Sequence, residues 1–153
     1  MYQRILVPVD STSTSQSMLG EAARLAKLCP GAVVRMIHVI DMVEAASGTN
    51  QFATNVEAVS EREKQIRDAG KAVLDTAAAA AKHAGFDPEL SLVEVWGKGM
   101  PDAIVDEAKN WGADIIIMGT HGYGGLYHLL MGSVAEGVLR HAKAPVLLVH
   151  SRA

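Results

Sequence analysis

The stretch DIIIMGTHGYGGLYHLLMGS, residues 114–133, indicates the fold. Its first part, residues 114–118, is a nearly unbroken apolar run, which is typical of a parallel-sheet strand with helices on both faces. A glycine-rich loop follows at once, and a helical pattern runs from Ser133 to His141. Glycines let a backbone approach a ligand, while a helix N-terminus offers unpaired N–H groups and positive partial charge. Together these features suit a phosphate chain.

Strand and helix patterns alternate over the rest of the chain. The predicted strands are residues 5–9, 33–40, 90–96, 114–118 and 146–149, and the predicted helices are residues 18–28, 57–84, 101–111 and 133–141. This alternation implies right-handed crossovers and an α/β fold with a three-layer α/β/α, doubly wound, five-stranded parallel sheet. Residues 41–55 lack periodicity and predict a weakly ordered surface connection.

Composition restricts the class of protein. The chain has 153 residues, 49% of them apolar and 20% charged, which predicts one folded domain over residues 1–153. Its net charge of -3 leaves no broad basic field, so we expect no nucleic-acid partner. The N-terminus passes directly into the first strand, which indicates neither a signal peptide nor a membrane span and predicts a cytoplasmic protein. Cys29 is the only cysteine, which excludes an internal disulfide.

The glycine loop differs from the commonest nucleotide motifs. The chain contains no G-x-x-x-x-G-K-[ST], and the loop spacing does not match G-x-G-x-x-G. It does match G-x2-G-x9-G-S, through Gly119, Gly122, Gly132 and Ser133. This pattern resembles the nucleotide-binding signature of the ATP-binding branch of the universal stress protein family (UspA-like). The resemblance extends from ILVPVD at residues 5–10, through the HV pair at 38–39, to APVLLV at 144–149.

The resemblance implies a Rossmann-like fold of the adenine nucleotide alpha hydrolase type, with strand order 3-2-1-4-5. It also implies a nucleotide site at the ends of the first, second and fourth strands. Adenine would be surrounded by Pro8, Val9, Asp10 and Val39, the adenosine would lie near Met118 and Gly119, and the phosphates would be held by Gly122, Gly132, Ser133 and Val134. ATP is the implied ligand, with ADP and AMP left open, and Mg²⁺ would arrive with the phosphates.

Several alternatives remain open on the residues alone. Asp10 could cap the first helix rather than contact a ligand, and the glycine loop could be only a long turn. Ser11 replaces a glycine common in relatives, and the loop carries Tyr123, Tyr127 and His128 where relatives often carry Arg or Lys, so side-chain charge for a triphosphate is scarce. The histidines show no metal-ligand spacing. Trp96 and Trp111 are interpreted as packing residues at element ends.

Three functions follow from these observations. The first is an ATP-binding regulator of the stress response that acts as a nucleotide-dependent switch on an unidentified protein partner. The second is a slow ATPase using the same pocket, although we identify no catalytic residue. The third is a nucleotide-free interaction module. Under each of them the apolar last strand, residues 146–149, predicts a homodimer through a sheet edge.

Overall fold

The computed structural model describes residues 1–12, 16–43, 56–120 and 131–150. Strands and helices alternate through these ranges. The strands are β1 (Arg4–Pro8), β2 (Val33–Asp41), β3 (Glu89–Val95), β4 (Ile115–Gly119) and β5 (Val146–Val149); the helices are α1 (Gln16–Leu28), α2 (Val56–Ala84), α3 (Met100–Trp111) and α4 (Ser133–His141). The predicted strands and helices are therefore confirmed, with small shifts at their ends. In the ranges described, no helix is long and apolar enough to span a membrane.

The five strands form one parallel sheet in the order β3-β2-β1-β4-β5, which confirms the predicted topology. β1 is central, since Leu6 pairs with Arg35 of β2 on one side and with Ile116 of β4 on the other. The chain order reverses between β1 and β4. In open parallel sheets, ligands bind beyond the carboxyl ends of the strands at such a reversal.

Alternating side chains along the strands separate two apolar cores. Ile5 and Val7 of β1 face a core formed with α1 and α2, whereas Leu6 faces a second core formed with α3 and α4. β4 alternates in the same way, with Ile117 on the first side and Met118 on the second. Because both faces of the sheet are covered, the central strands are continuously apolar rather than alternating with polar residues.

Of the two tryptophans, only Trp111 is a packing residue. The Arg35 guanidinium lies 4.4 Å from the centroid of the Trp111 ring, which also packs against the second core. The prediction for Trp96 is wrong, because its side chain is 60% exposed. Trp96 follows the end of β3, which is an edge strand and has a neighbouring strand on one side only.

Asp114 fastens the start of β1 to the start of β4. Its Oδ2 atom accepts hydrogen bonds from the backbone N–H groups of Gln3, at 2.7 Å, and Arg4, at 2.8 Å. These two bonds hold the pKa of the Asp114 carboxyl below its usual value, and the bond from Gln3 has the larger effect. A lowered folded pKa means that the ionised carboxylate stabilises the fold above the pKa of the unfolded chain, and that this contribution is lost as pH falls through the folded pKa.

We therefore expect Asp114→Asn to lower the free energy of unfolding at pH 7 by about 1 kcal/mol, a value already reduced for solvent screening. The difference from the wild-type protein should narrow as the pH falls below about 4. Urea unfolding at pH 7 and pH 3 measures both effects. Asp87→Asn, at an exposed ion pair with Lys82, is the control and should change little. An equal loss at both pH values would contradict the role of the carboxylate charge.

Candidate functional site

The backbone that follows β1 is held firmly against β2. Val9 is fully buried, and its N–H donates to the Ile37 carbonyl at 2.8 Å. The Val9 carbonyl lies 2.8 Å from the ring Nδ1 of His38, so the N–H and the carbonyl of Val9 are both hydrogen-bonded. Pro8 pairs with Ile37 at the last position of the β1–β2 register. The predicted adenine-contacting segment therefore begins from a fixed backbone. The sequence interpretation gave His38 no role in the site.

Asp10 directly follows this segment and is only 6% exposed. Its Oδ1 atom accepts hydrogen bonds from the backbone N–H and the hydroxyl of Thr12, both at 2.8 Å. α1 is described from Gln16, and residues 13–15 lie outside the described residues, so the capping alternative stays a prediction. The bonds to Thr12 order the turn after β1, at the carboxyl edge of the sheet.

Three of the predicted nucleotide-binding residues share one face of the sheet. Val39 of β2 and Met118 of β4 are buried side chains of the second core, and Val134 of α4 packs against the same core while partly exposed. Met100 and Met131, at the start of α3 and just before α4, are also partly buried against this core. Val39 and Met118 are only 2% and 3% exposed, so the partly exposed Met100, Met131 and Val134 form the apolar surface here, which suits the flat face of an adenine ring.

The ends of β2 and β3 are tied together beside this surface. Oδ1 of Asp41 accepts hydrogen bonds from the N–H groups of Gly97, at 3.0 Å, and Val43, at 2.9 Å. These bonds, that of Gly97 foremost, lower the pKa of the Asp41 carboxyl. Asp41 therefore remains ionised at neutral pH and acts as a structural clamp between the two strands.

Thr120 joins the end of β4 to both β5 and α4. Its N–H donates to the Val149 carbonyl at 3.1 Å, and its carbonyl accepts from the Gly132 N–H at 2.6 Å. The Thr120 hydroxyl lies 3.3 Å from the ring Nδ1 of His150. The two ends of the glycine loop, Gly119 and Gly132, are thus brought together by this residue. Nothing in the motif pattern marks Thr120, because its importance comes from strand pairing.

α4 begins at this junction and presents its N-terminus toward the loop. Gly132 is its N-cap residue, with φ -70° and ψ 155°, and no side chain caps the helix in the described part of the chain. The helix starts with a bond from the Glu136 N–H to the Gly132 carbonyl, and Ser133 is exposed. A helix N-terminus without a side-chain cap carries N–H donors and positive partial charge, which favour an anion.

Most of the predicted site residues therefore meet at the reversal between β1 and β4. Those of the second core supply an apolar surface, and those at the start of α4 supply N–H donors. Gly122 lies outside the described residues, as do His121, Tyr123, Tyr127 and His128. Among the side chains that are described, no group of His, Cys, Asp and Glu could hold a metal ion. The arrangement can bind a molecule with an apolar ring at one end and an anionic group at the other.

Fold and site together define a doubly wound α/β protein whose strand reversal lies beside a helix N-terminus with no described side-chain cap. The model of the universal stress protein family matches residues 1–150, and the chain belongs to that family.

Individual relatives match nearly the whole chain over nearly their whole length. Universal stress protein MJ0577 of Methanocaldococcus jannaschii is 30% identical, over 97% of this chain and 95% of the relative. A solved structure of MJ0577 has a TM-score of 0.76 and covers 100% of this chain and 99% of that one. The universal stress protein from Archaeoglobus fulgidus, solved in complex with dAMP, is 28% identical with a TM-score of 0.65, covering 97% of this chain and 98% of its own.

Proposed function

We propose that this protein binds an adenine nucleotide, ATP in particular, at the carboxyl ends of β1 and β4, and that nucleotide occupancy regulates its contact with a protein partner. The observation that carries the proposal is the junction between the N-terminus of α4 and the apolar surface of the second core, the core in which Val39 and Met118 are buried. The dAMP complex of the Archaeoglobus fulgidus relative supports an adenine nucleotide as the ligand.

The base and ribose are assigned to the β1 and β2 side of the site. Adenine would lie against Pro8, Val39 and the backbone of Val9, whose side chain is buried in the first core, with Met118 and Gly119 beside the adenosine. Asp10 offers a carboxylate, which can accept hydrogen bonds from an amino group or a ribose hydroxyl but not from a ring nitrogen acceptor. The Asp10 carboxylate therefore favours an adenine nucleotide whose ribose hydroxyls or exocyclic amino group face β1.

The phosphates are assigned to the start of α4. The backbone N–H groups of Gly132, Ser133 and Val134 and the Ser133 hydroxyl are the donors nearest the helix N-terminus, and Gly122 belongs to the same proposed set. Backbone donors and the helix dipole favour phosphate without side-chain charge. Mg²⁺ would be carried by the phosphates, because it retains waters and takes few protein ligands in such sites.

The regulatory part of the proposal follows from Thr120. This residue is bonded to Gly132, at the phosphate end of the site, and to Val149 and His150, at the end of β5. Nucleotide binding at α4 can therefore shift β5, the edge strand, through the hydrogen bonds of Thr120. β5 is the edge strand proposed to pair with a second copy of the chain, so the homodimer and the nucleotide site are adjacent.

Isothermal titration of nucleotide-stripped protein with ATP, ADP, AMP and adenosine, each with Mg²⁺, tests the proposal. We expect micromolar binding of ATP, corresponding to about -8 kcal/mol, and weaker binding as phosphates are removed. GTP is the matched control, because it has the same triphosphate and a different base. Equal affinity for GTP would contradict the adenine assignment, and no binding at millimolar ATP would leave a nucleotide-free interaction module as the function.

A further inference from the structure

α4 is fixed in place by an unusually close contact with α3. A Cβ atom added at Gly137 would lie 2.6 Å from both Cβ and Cγ of Pro101. Contacts this short are not tolerated between carbon atoms, and a proline ring cannot rotate out of the way. The backbone of α4 therefore touches the ring of Pro101, and this approach is open only to glycine at position 137.

The contact lies one helical turn from the start of α4. Gly137 and Ser133 are four residues apart, so they share a face of the helix at a separation of about 6 Å along the axis. α4 runs only from Ser133 to His141, and His141 returns its ring Nδ1 to the Gly137 carbonyl at 3.0 Å. A displacement at Gly137 would therefore move the first turn, since so short a helix shifts as one body.

Pro101 offers a firm reference point for that helix. It stands in the first turn of α3, where the Ala103 N–H bonds to the Gly99 carbonyl at 3.0 Å. Ala103 and Ile104, two and three residues further along α3, are buried in the second core. Pushing Pro101 away would disturb that core, so an added methyl group at position 137 would displace α4 at least as much as α3.

We propose that Gly137 is a positioning residue for the phosphates: its contact with Pro101 sets where the first-turn N–H groups of α4 stand relative to the ends of β1 and β4. The inference rests on the proposed function and extends it to residues that touch no ligand. This role distinguishes the two ends of the nucleotide, since Pro8 and Val39, which would contact adenine, lie on β1 and β2 and not on α4.

Gly137→Ala, titrated with ATP and with adenosine, tests the inference. We expect ATP affinity to fall on the order of tenfold while adenosine affinity stays unchanged, because hydrogen bonds to phosphate weaken steeply when donor and acceptor leave their optimal distance. Gly20→Ala is the matched control: Gly20 also lies inside a helix, but a Cβ there meets nothing within 4 Å. That variant should bind both ligands like the wild-type protein and unfold at a slightly higher temperature.

The Gly137→Ala/Pro101→Gly double variant shows whether a loss of affinity in Gly137→Ala comes from the contact with Pro101 or from misfolding. Removing the proline ring relieves both short contacts, so ATP affinity should return toward that of the Pro101→Gly single variant. Amide NMR shifts of Ser133 and Val134 should move in Gly137→Ala and return in the double variant, and this readout needs no nucleotide.

Each outcome bears on a different proposal. Unchanged ATP affinity in Gly137→Ala, an equal loss for ATP and adenosine, or unmoved Ser133 and Val134 amides would overturn the positioning role. A wild-type protein that binds no ATP would instead remove the proposed function, and the amide shifts alone would then decide whether Gly137 positions α4.

Discussion

Gly132→Asp is expected to weaken ATP binding at least about 100-fold while leaving the fold intact, because like charges about 4 Å apart near a protein surface repel by about 4 kcal/mol. Gly132 is the N-cap residue of α4, and its φ of -70° and ψ of 155° are open to any L-residue. The new carboxylate would also accept hydrogen bonds from N–H groups of the first turn, such as that of Val134, which the phosphates need. Charge and competition for donors therefore act together.

The same substitution should not destabilise the protein. Aspartate is a preferred N-cap residue, and exchanging glycine for it changes stability by only a few tenths of a kcal/mol. The melting temperature should therefore stay within about 1 °C of the wild-type value or rise slightly. If ATP binding is lost while the melting temperature is unchanged, the loss does not come from misfolding, and the phosphates lie at α4.

The control is Gly99→Asp, which places an identical charge at the N-cap of α3. Gly99 has φ -58° and ψ 145°, lacks a side-chain cap, and has its nearest neighbours 3.9 Å from an added Cβ. Titration with ATP and adenosine should show a smaller loss of ATP affinity than in Gly132→Asp, because Gly99 is not among the residues assigned to the phosphates and charges at exposed sites are screened by salt. Adenosine affinity should be unchanged in both variants. If Gly132→Asp retains ATP binding, the phosphates do not lie at α4.

The fold was predictable because its signals are local and mutually consistent. The apolar run at residues 115–118, the helix periodicities and the stops at Gly85 and Gly112 each act over a few residues. Gly85 and Gly112 do adopt positive φ values, 103° and 72°, that end α2 and α3. The resemblance to a known family added the strand order, which periodicity cannot supply because it does not say which strands are neighbours.

The site was predictable only in part, for a physical reason. Val39 and Met118 came from the resemblance to the family, and the structure places both in the core on one side of the sheet. The roles of Thr120 and of the Gly137–Pro101 contact depend on distances between elements far apart in sequence, and no spacing within one element encodes them. Trp96 was misplaced for the same reason: an aromatic residue at a strand end packs only if another element covers it, and β3 lies at an edge.

Leu147→Lys is expected to convert the proposed homodimer into a monomer. β5 is an edge strand, and Leu147 is 38% exposed on it and lines a groove of about 590 Å³ between β5 and α1. Pairing of β5 with its copy would satisfy the edge backbone and cover this leucine. Lysine there would place two like charges in one symmetric interface, and an unpaired buried charge costs about 3 kcal/mol, or roughly 100-fold in the dimer dissociation constant.

Leu90→Lys is the control, because it makes the same substitution on the opposite edge strand and so shows which edge forms the dimer. Leu90 is 42% exposed on β3, the opposite edge strand, so the residue type, exposure and change of charge all match. Light scattering after size exclusion should give a dimer mass for wild type and Leu90→Lys and a monomer mass for Leu147→Lys. A wild-type monomer would contradict self-association, whereas a monomeric Leu90→Lys with a dimeric Leu147→Lys would move the interface to β3. In the latter case the bonds from Thr120 to Val149 and His150 would not lead to the dimer interface, and the proposed route from nucleotide to dimer would be wrong.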